Sequence, residues 1–163
     1  MSARIRSQQG FALIEMLIAI VVINVGLLAI LLALNSGMVT LRRSAETSTA
    51  SAIADQQLER FRALAYSAIY LDTTLLAATD STYQSDSAYS ASQVSQTCIP
   101  VVAACTPSQT VTGPDGRSYR VDTYVLSVVP AGGQAVKQIT VVVRKPGSTT
   151  SLARVVSTAG LDF

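Results

Sequence analysis

The chain has no histidine and no tryptophan, and only two cysteines among its 163 residues. Without histidine there is no Ser-His or Cys-His pair, no imidazole acid–base catalyst and no His-ligated metal. Two cysteines alone cannot complete a zinc site, and no G-x-S-x-G or S-x-x-K motif occurs. Charge is scarce as well. Only 13% of residues are charged, the net charge is +2, and no run of Lys or Arg exceeds two, which argues against a nucleic-acid partner. We therefore expect no enzyme: no catalytic residue, no metal and no cofactor.

What is abundant is apolar surface. Mean hydropathy is +0.40, and most of the excess lies in the first 41 residues. From Phe11 to Leu34 only Glu15 and Asn24 are strongly polar. As a helix this run would measure roughly 36 Å, enough to cross a hydrocarbon core of about 30 Å. It is too long for the apolar region of a secretory signal peptide, and no small-residue cleavage site follows it. A carboxylate at the centre of a bilayer helix costs about 2.5–3.5 kcal/mol, so Glu15 needs a role. The polar leader Met1–Gly10 is basic through Arg4 and Arg6 and ends in glycine before an aromatic residue. A cut between Gly10 and Phe11 would create an α-amino group at position 11, one helical turn from Glu15 on the same face. The glutamate would then lie in the first turn, where the helix dipole favours an anion.

The stretch "GFALIEMLIAIVV", residues 10–22, resembles the class III signal of type IV prepilins, G-F-[ST]-L-[IV]-E-x-[LM]. Ala12 departs from the usual Ser or Thr, and no proline interrupts the run. The resemblance implies cleavage after Gly10 by a prepilin peptidase, N-methylation of Phe11, and a role for Glu15 in docking to neighbouring subunits. It also implies an α+β, type IV pilin-like fold: a long N-terminal helix, transmembrane in its first half, packed on a small antiparallel β-meander. The expected organisation is a leader at 1–10, a membrane or filament-core helix at 11–41, the amphipathic half of that helix at 42–66, a variable loop at 67–108 and a sheet at 109–163. Asn24 and Gly26 are the weak helix formers of the run, and Asn35-Ser36-Gly37 is a place where a helix could stop. The resemblance favours continuation.

Beyond residue 44, Ile53, Ala54, Leu58, Phe61, Leu64 and Ala65 recur at helical spacing, while Glu46, Asp55, Glu59, Arg60 and Arg62 form a solvated face. Residues 67–108 are rich in Ser, Thr, Gln and Tyr. They are expected to form a long surface connection with a short helix near Thr73–Ala78, in which Asp72, Asp80 and Asp86 are solvated turn residues. "GPDGR" at 113–117, "PAGGQ" at 130–134 and "PGSTTS" at 146–151 read as turns between strands. Tyr119, Val121, Val125 and Val129 should share one face, as should Ile139, Val141 and Val143, with the helix as the only cover. Arg117, Arg120, Lys137, Arg144, Lys145 and Arg154 form a basic strip, offset by six acids and expected to be solvated. Cys98 and Cys105 fit neither a redox nor a zinc spacing. Placement outside the cytoplasm favours a disulfide worth about 2.5 kcal/mol, with two free thiols as the alternative.

The resemblance leads to a structural subunit, a minor pilin of a type IV pilus that contributes to filament assembly or priming. A minor pseudopilin of a type II secretion system and a tip adhesin or DNA-binding pilin are the alternatives. The implied partners are other pilin or pseudopilin subunits through the N-terminal helix, the prepilin peptidase and an inner-membrane assembly platform. The implied location is the cytoplasmic membrane, single-pass with the C-terminal domain outside, and then a filament. Which filament is served, and at what abundance, is not legible in the residues.

Overall fold

Helix formers dominate the first third of the chain, and no proline occurs before Pro100, so nothing in the covalent chain stops an early helix. In the computed structural model, which describes residues 9–160, this stretch forms one helix, α1, Gln9–Arg62. It continues through Asn24, Gly26 and Asn35-Ser36-Gly37. Polar side chains turn back onto their own helix: Asn24 Nδ2 donates to the Ile20 carbonyl at 2.8 Å and Thr40 Oγ1 to the Ser36 carbonyl at 3.0 Å. The helix ends at Arg62, short of the expected residue 66. A 3₁₀ turn, Tyr66–Ala68, follows, and Ala65 is exposed. Residues 1–8 of the expected leader lie outside the described residues.

The chain divides into two compact units, Met1–Ser44 and Ala45–Phe163. In the first, the described side chains stand open on every face, from Leu13 at 73% exposure to Leu41 at 70%. The most apolar 18-residue window of the helix has a mean hydropathy of 3.0. A helix that is long, apolar all round and uncovered is consistent with a membrane anchor.

The second unit is an antiparallel sheet of four strands in sequential order: β3 Ser108–Thr112, β4 Ser118–Val128, β5 Val136–Arg144 and β6 Ser151–Ala159. Two short strands, β1 Leu71–Asp72 and β2 Ser95–Gln96, pair in parallel earlier in the unit. The hairpins close on glycines at positive φ, Gly116 at 72° and Gly147 at 75°, a region most side chains avoid. Register places Val121 opposite Val143 and Val125 opposite Ile139. This face packs on Ala50, Ile53, Ala54, Leu58 and Phe61 of α1, all buried. Each large apolar side chain so buried contributes about 1.5–3 kcal/mol. Val129 does not join them. It lies beyond the strand and is 68% exposed.

The other face of the sheet is covered too, which the sequence did not lead us to expect. The connection between α1 and the sheet is ordered, with helices α2 Thr73–Ala77 and α3 Ser81–Gln84. Tyr83 of α3 stacks on Tyr124 of β4 at 4.4 Å between ring centroids, and Val142 of β5 completes this smaller core. The Tyr83 hydroxyl donates to the Thr123 carbonyl at 2.7 Å, and Gln93 Nε2 donates to that hydroxyl at 3.1 Å. The α+β class, with a long apolar helix followed by a four-stranded antiparallel sheet, is therefore as expected, but the helix is not the sheet's only cover.

Candidate functional site

In the first unit Gly10 and Phe11 fall within the bounds of α1, and their side chains lie outside those described. Glu15 is described and exposed, with no cationic partner among the described residues. At 3.6 residues per turn it shares one face with Ala19, Val22, Gly26, Ala33 and Gly37. That face is made mostly of small residues, which let a neighbouring helix approach closely. Asn24 lies on the opposite face, about 180° away.

In the second unit the six-residue basic strip is solvated as expected at Arg117, Lys145 and Arg154, which are exposed, but not at Arg120, Lys137 and Arg144. Arg120 Nε donates to Asp122 at 2.9 and 3.1 Å, and its two terminal nitrogens clasp Asp80 at 2.6 and 2.7 Å. Arg144 is 2% exposed and bonds both Asp122 and Asp86. Arg154 reaches Asp86 at 2.7 and 2.8 Å. Three arginines on the sheet thus meet three aspartates, one from β4 and two from the connection. Arg117 pairs with Glu46, and Lys145 Nζ lies 2.5 Å from the same carboxylate. Glu46, expected to be solvated, is only 12% exposed in its side chain. Lys137 Nζ, also buried, donates to the carbonyls of Tyr66 and Ile69, both at 2.7 Å, and lies 4.6 Å from the centre of the Tyr66 ring. Its burial lowers its pKa. Every cation of the strip is thus engaged, although Arg117, Lys145 and Arg154 remain exposed.

Of the aspartates of the connection, Asp80 is exposed as expected, whereas Asp72 and Asp86 are not solvated. Asp72 is 2% exposed and caps α2, accepting from Thr74 N at 3.0 Å and Leu75 N at 2.9 Å. Bonds from the Thr74 hydroxyl, and from the Leu75 and Cys98 amides, hold its pKa down to about 2. Asp80 caps α3 through Tyr83 N at 2.9 Å, and the Arg120 fork beside it likewise holds its pKa to about 2. For Asp86, burial pushes the pKa up, but bonds from the Ala88 amide and Arg154 outweigh it and the net direction is down. Burial raises both tyrosines of the stack, Tyr83 and Tyr124. Asp122 escaped notice in the sequence. A carboxylate in the middle of a β run, between Val121 and Thr123 and two residues from Arg120, was the available signal.

Cys98 and Cys105 form a disulfide. The loop they close is tied to the connection at both ends: Cys98 N donates to Asp72 Oδ2 at 2.9 Å and Asp72 N to the Cys105 carbonyl at 2.8 Å. Gln57 of α1, buried at 2% exposure, donates to the Ala103 carbonyl within the loop at 3.0 Å. Among the described residues no cluster of His, Cys, Asp or Glu could hold a metal ion.

A family model described as the prokaryotic N-terminal methylation motif matches residues 5–31. No curated protein and no solved structure matches the chain. The matched segment includes Gly10, Phe11, Glu15 and Asn24 and stops short of the second unit. Residues 5–31 thus carry a class III methylation signal, and with the apolar helix and antiparallel sheet this is consistent with a type IV prepilin-like protein, a pilin or pseudopilin.

Proposed function

We propose that the chain is the precursor of a minor pilin, a structural subunit of a type IV pilus stored in the cytoplasmic membrane until a prepilin peptidase cuts it between Gly10 and Phe11. The methylation motif over residues 5–31 carries this proposal. Cleavage turns an unfavourable residue into half of a pair. Before it, Glu15 is a carboxylate in an apolar run; after it, an α-amino group exists at Phe11. N-methylation preserves that positive charge. In the assembling filament Glu15 of one subunit meets the charged N-terminus of a neighbour in a low-dielectric setting, where such a pair is worth far more than in water. The small-residue face around Glu15 supports close helix approach. The second unit then stands outside the cytoplasm, where its disulfide can form.

Mass spectrometry of the full chain co-expressed with a prepilin peptidase tests this. The mature species should begin at N-methyl-Phe11, and an intact leader under those conditions would overturn the proposal. Glu15→Ala should still be cleaved but enter filaments poorly. Unchanged incorporation would refute the pairing role.

A further inference from the structure

Asn24 is the one strongly polar residue in the middle of the apolar run, and its helical face is opposite that of Glu15. A carboxamide has two N–H donors and one acceptor oxygen. One donor is satisfied by the Ile20 carbonyl at 2.8 Å. Among the described residues nothing bonds Oδ1, and the residue is exposed. In hydrocarbon such groups gain nothing from solvent, and backbone N–H groups within a helix are already used. Glu15 cannot serve, being half a turn round and ~13 Å away along the axis.

The surroundings of Asn24 form a seam. Leu17 lies one heptad before Asn24, and Leu28, Leu31 and Asn35 follow it at steps of four, three and four as in a coiled-coil stripe; all lie within about 40° of Asn24. Bulky leucines therefore flank the asparagine, in contrast to the small-residue face that carries Glu15. A partner must offer both a donor and an acceptor at this depth. A second copy does so by construction, because all copies insert with one orientation and a carboxamide is complementary to itself across a two-fold axis.

We infer that two copies of this chain pair in the membrane through the Asn24 face, parallel and in register, with the Asn24 carboxamides bonded to each other. The inference rests on the membrane-anchor part of the proposed function. It leaves the Glu15 face of each copy uncovered, so a pair held at Asn24 remains competent to dock.

Cysteine cross-linking tests it with the full chain, in membranes of cells lacking any filament machinery and prepilin peptidase. Leu31→Cys, on the seam, should oxidise to a dimer, whereas Ala33→Cys, about 180° from Asn24, should not. Adding Asn24→Leu to Leu31→Cys should lower the cross-linked fraction roughly 3- to 30-fold, the range carried by interhelical hydrogen bonds, and Asn24→Gln should retain more of it. Equal cross-linking at positions 31 and 33, no effect of Asn24→Leu, or a product whose mass is not twice the chain's would overturn the pairing. Alkaline carbonate extraction of the same membranes reads the anchor separately. A chain that is released sinks anchor and pair together, while a retained chain with no position-31 product sinks the pair alone.

Discussion

Arg144 is the largest fully buried side chain of the described residues, and replacing it with alanine tests the charge cluster on the second sheet face. Asp122 is 0% exposed in its side chain and Asp86 only 5%. Removing one member of a buried ion pair typically costs 3–5 kcal/mol, because the remaining charge stays buried without compensation. Here Asp122 keeps Arg120 at 2.9 Å and the Ser108 hydroxyl at 2.7 Å, and Asp86 keeps Arg154 at 2.7 Å. The low end of the range therefore applies, about 3 kcal/mol, or roughly 10 °C in Tm for a unit of this size. With no tryptophan present, the near-ultraviolet signal comes mainly from tyrosine. The Tyr83–Tyr124 stack lies in the same face, so circular dichroism of the detergent-solubilised chain follows the relevant packing. A loss under about 1 kcal/mol for Arg144→Ala would refute the view that these charges clamp the connection to the sheet. Adding Asp86→Ala should cost less than the sum of the two single changes, since each already breaks their common bond.

Two further outcomes follow from the same connection. Replacing Cys98 and Cys105 together with serine should destabilise the second unit by about 2.5 kcal/mol, measured by urea unfolding against the oxidised parent. Equal midpoints would show that the hydrogen bonds to Asp72 suffice without the cross-link. Acid unfolding should report Asp80. Its pKa is near 2 in the folded chain and about 3.9 when unfolded, so the unfolded state takes up its proton first, and the stability it contributes is lost as pH falls from about 4 to about 2. Asp80→Asn should make that limb shallower, by less than about 1 kcal/mol because the carboxylate is 55% exposed. An identical acid limb would show that the Arg120 clasp does not stabilise the fold.

Legibility differed sharply along the chain. The apolar run, the amphipathic positions 53–61, the turn glycines and the odd-numbered face of β4 and β5 were readable because each is a local pattern with a fixed period. The helix ends a few residues before the expected boundary, since propensity changes little between Arg62 and Tyr66, and the turn that follows is held by Lys137 bonding the carbonyls of Tyr66 and Ile69 from a distant strand. The burial of Asp72, Asp86 and Glu46 could not be read, because an acid in a polar stretch looks the same whether it faces water or a donor brought to it by folding.

By itself the sequence determined that a long apolar helix begins this chain, that Glu15 lies one turn after a Gly-Phe junction, and that an antiparallel meander ends it. These are properties of residue type and spacing, which local sterics and hydrophobicity translate directly. Only the tertiary structure decided that the sheet is covered on both faces and that each cation of the basic strip meets a carboxylate or a backbone carbonyl. It alone decided that the Ser- and Tyr-rich connection is an ordered layer. Each of these depends on which groups meet across about 20 to 100 residues of chain, and burial, not composition, determines whether a charge there is solvated or paired.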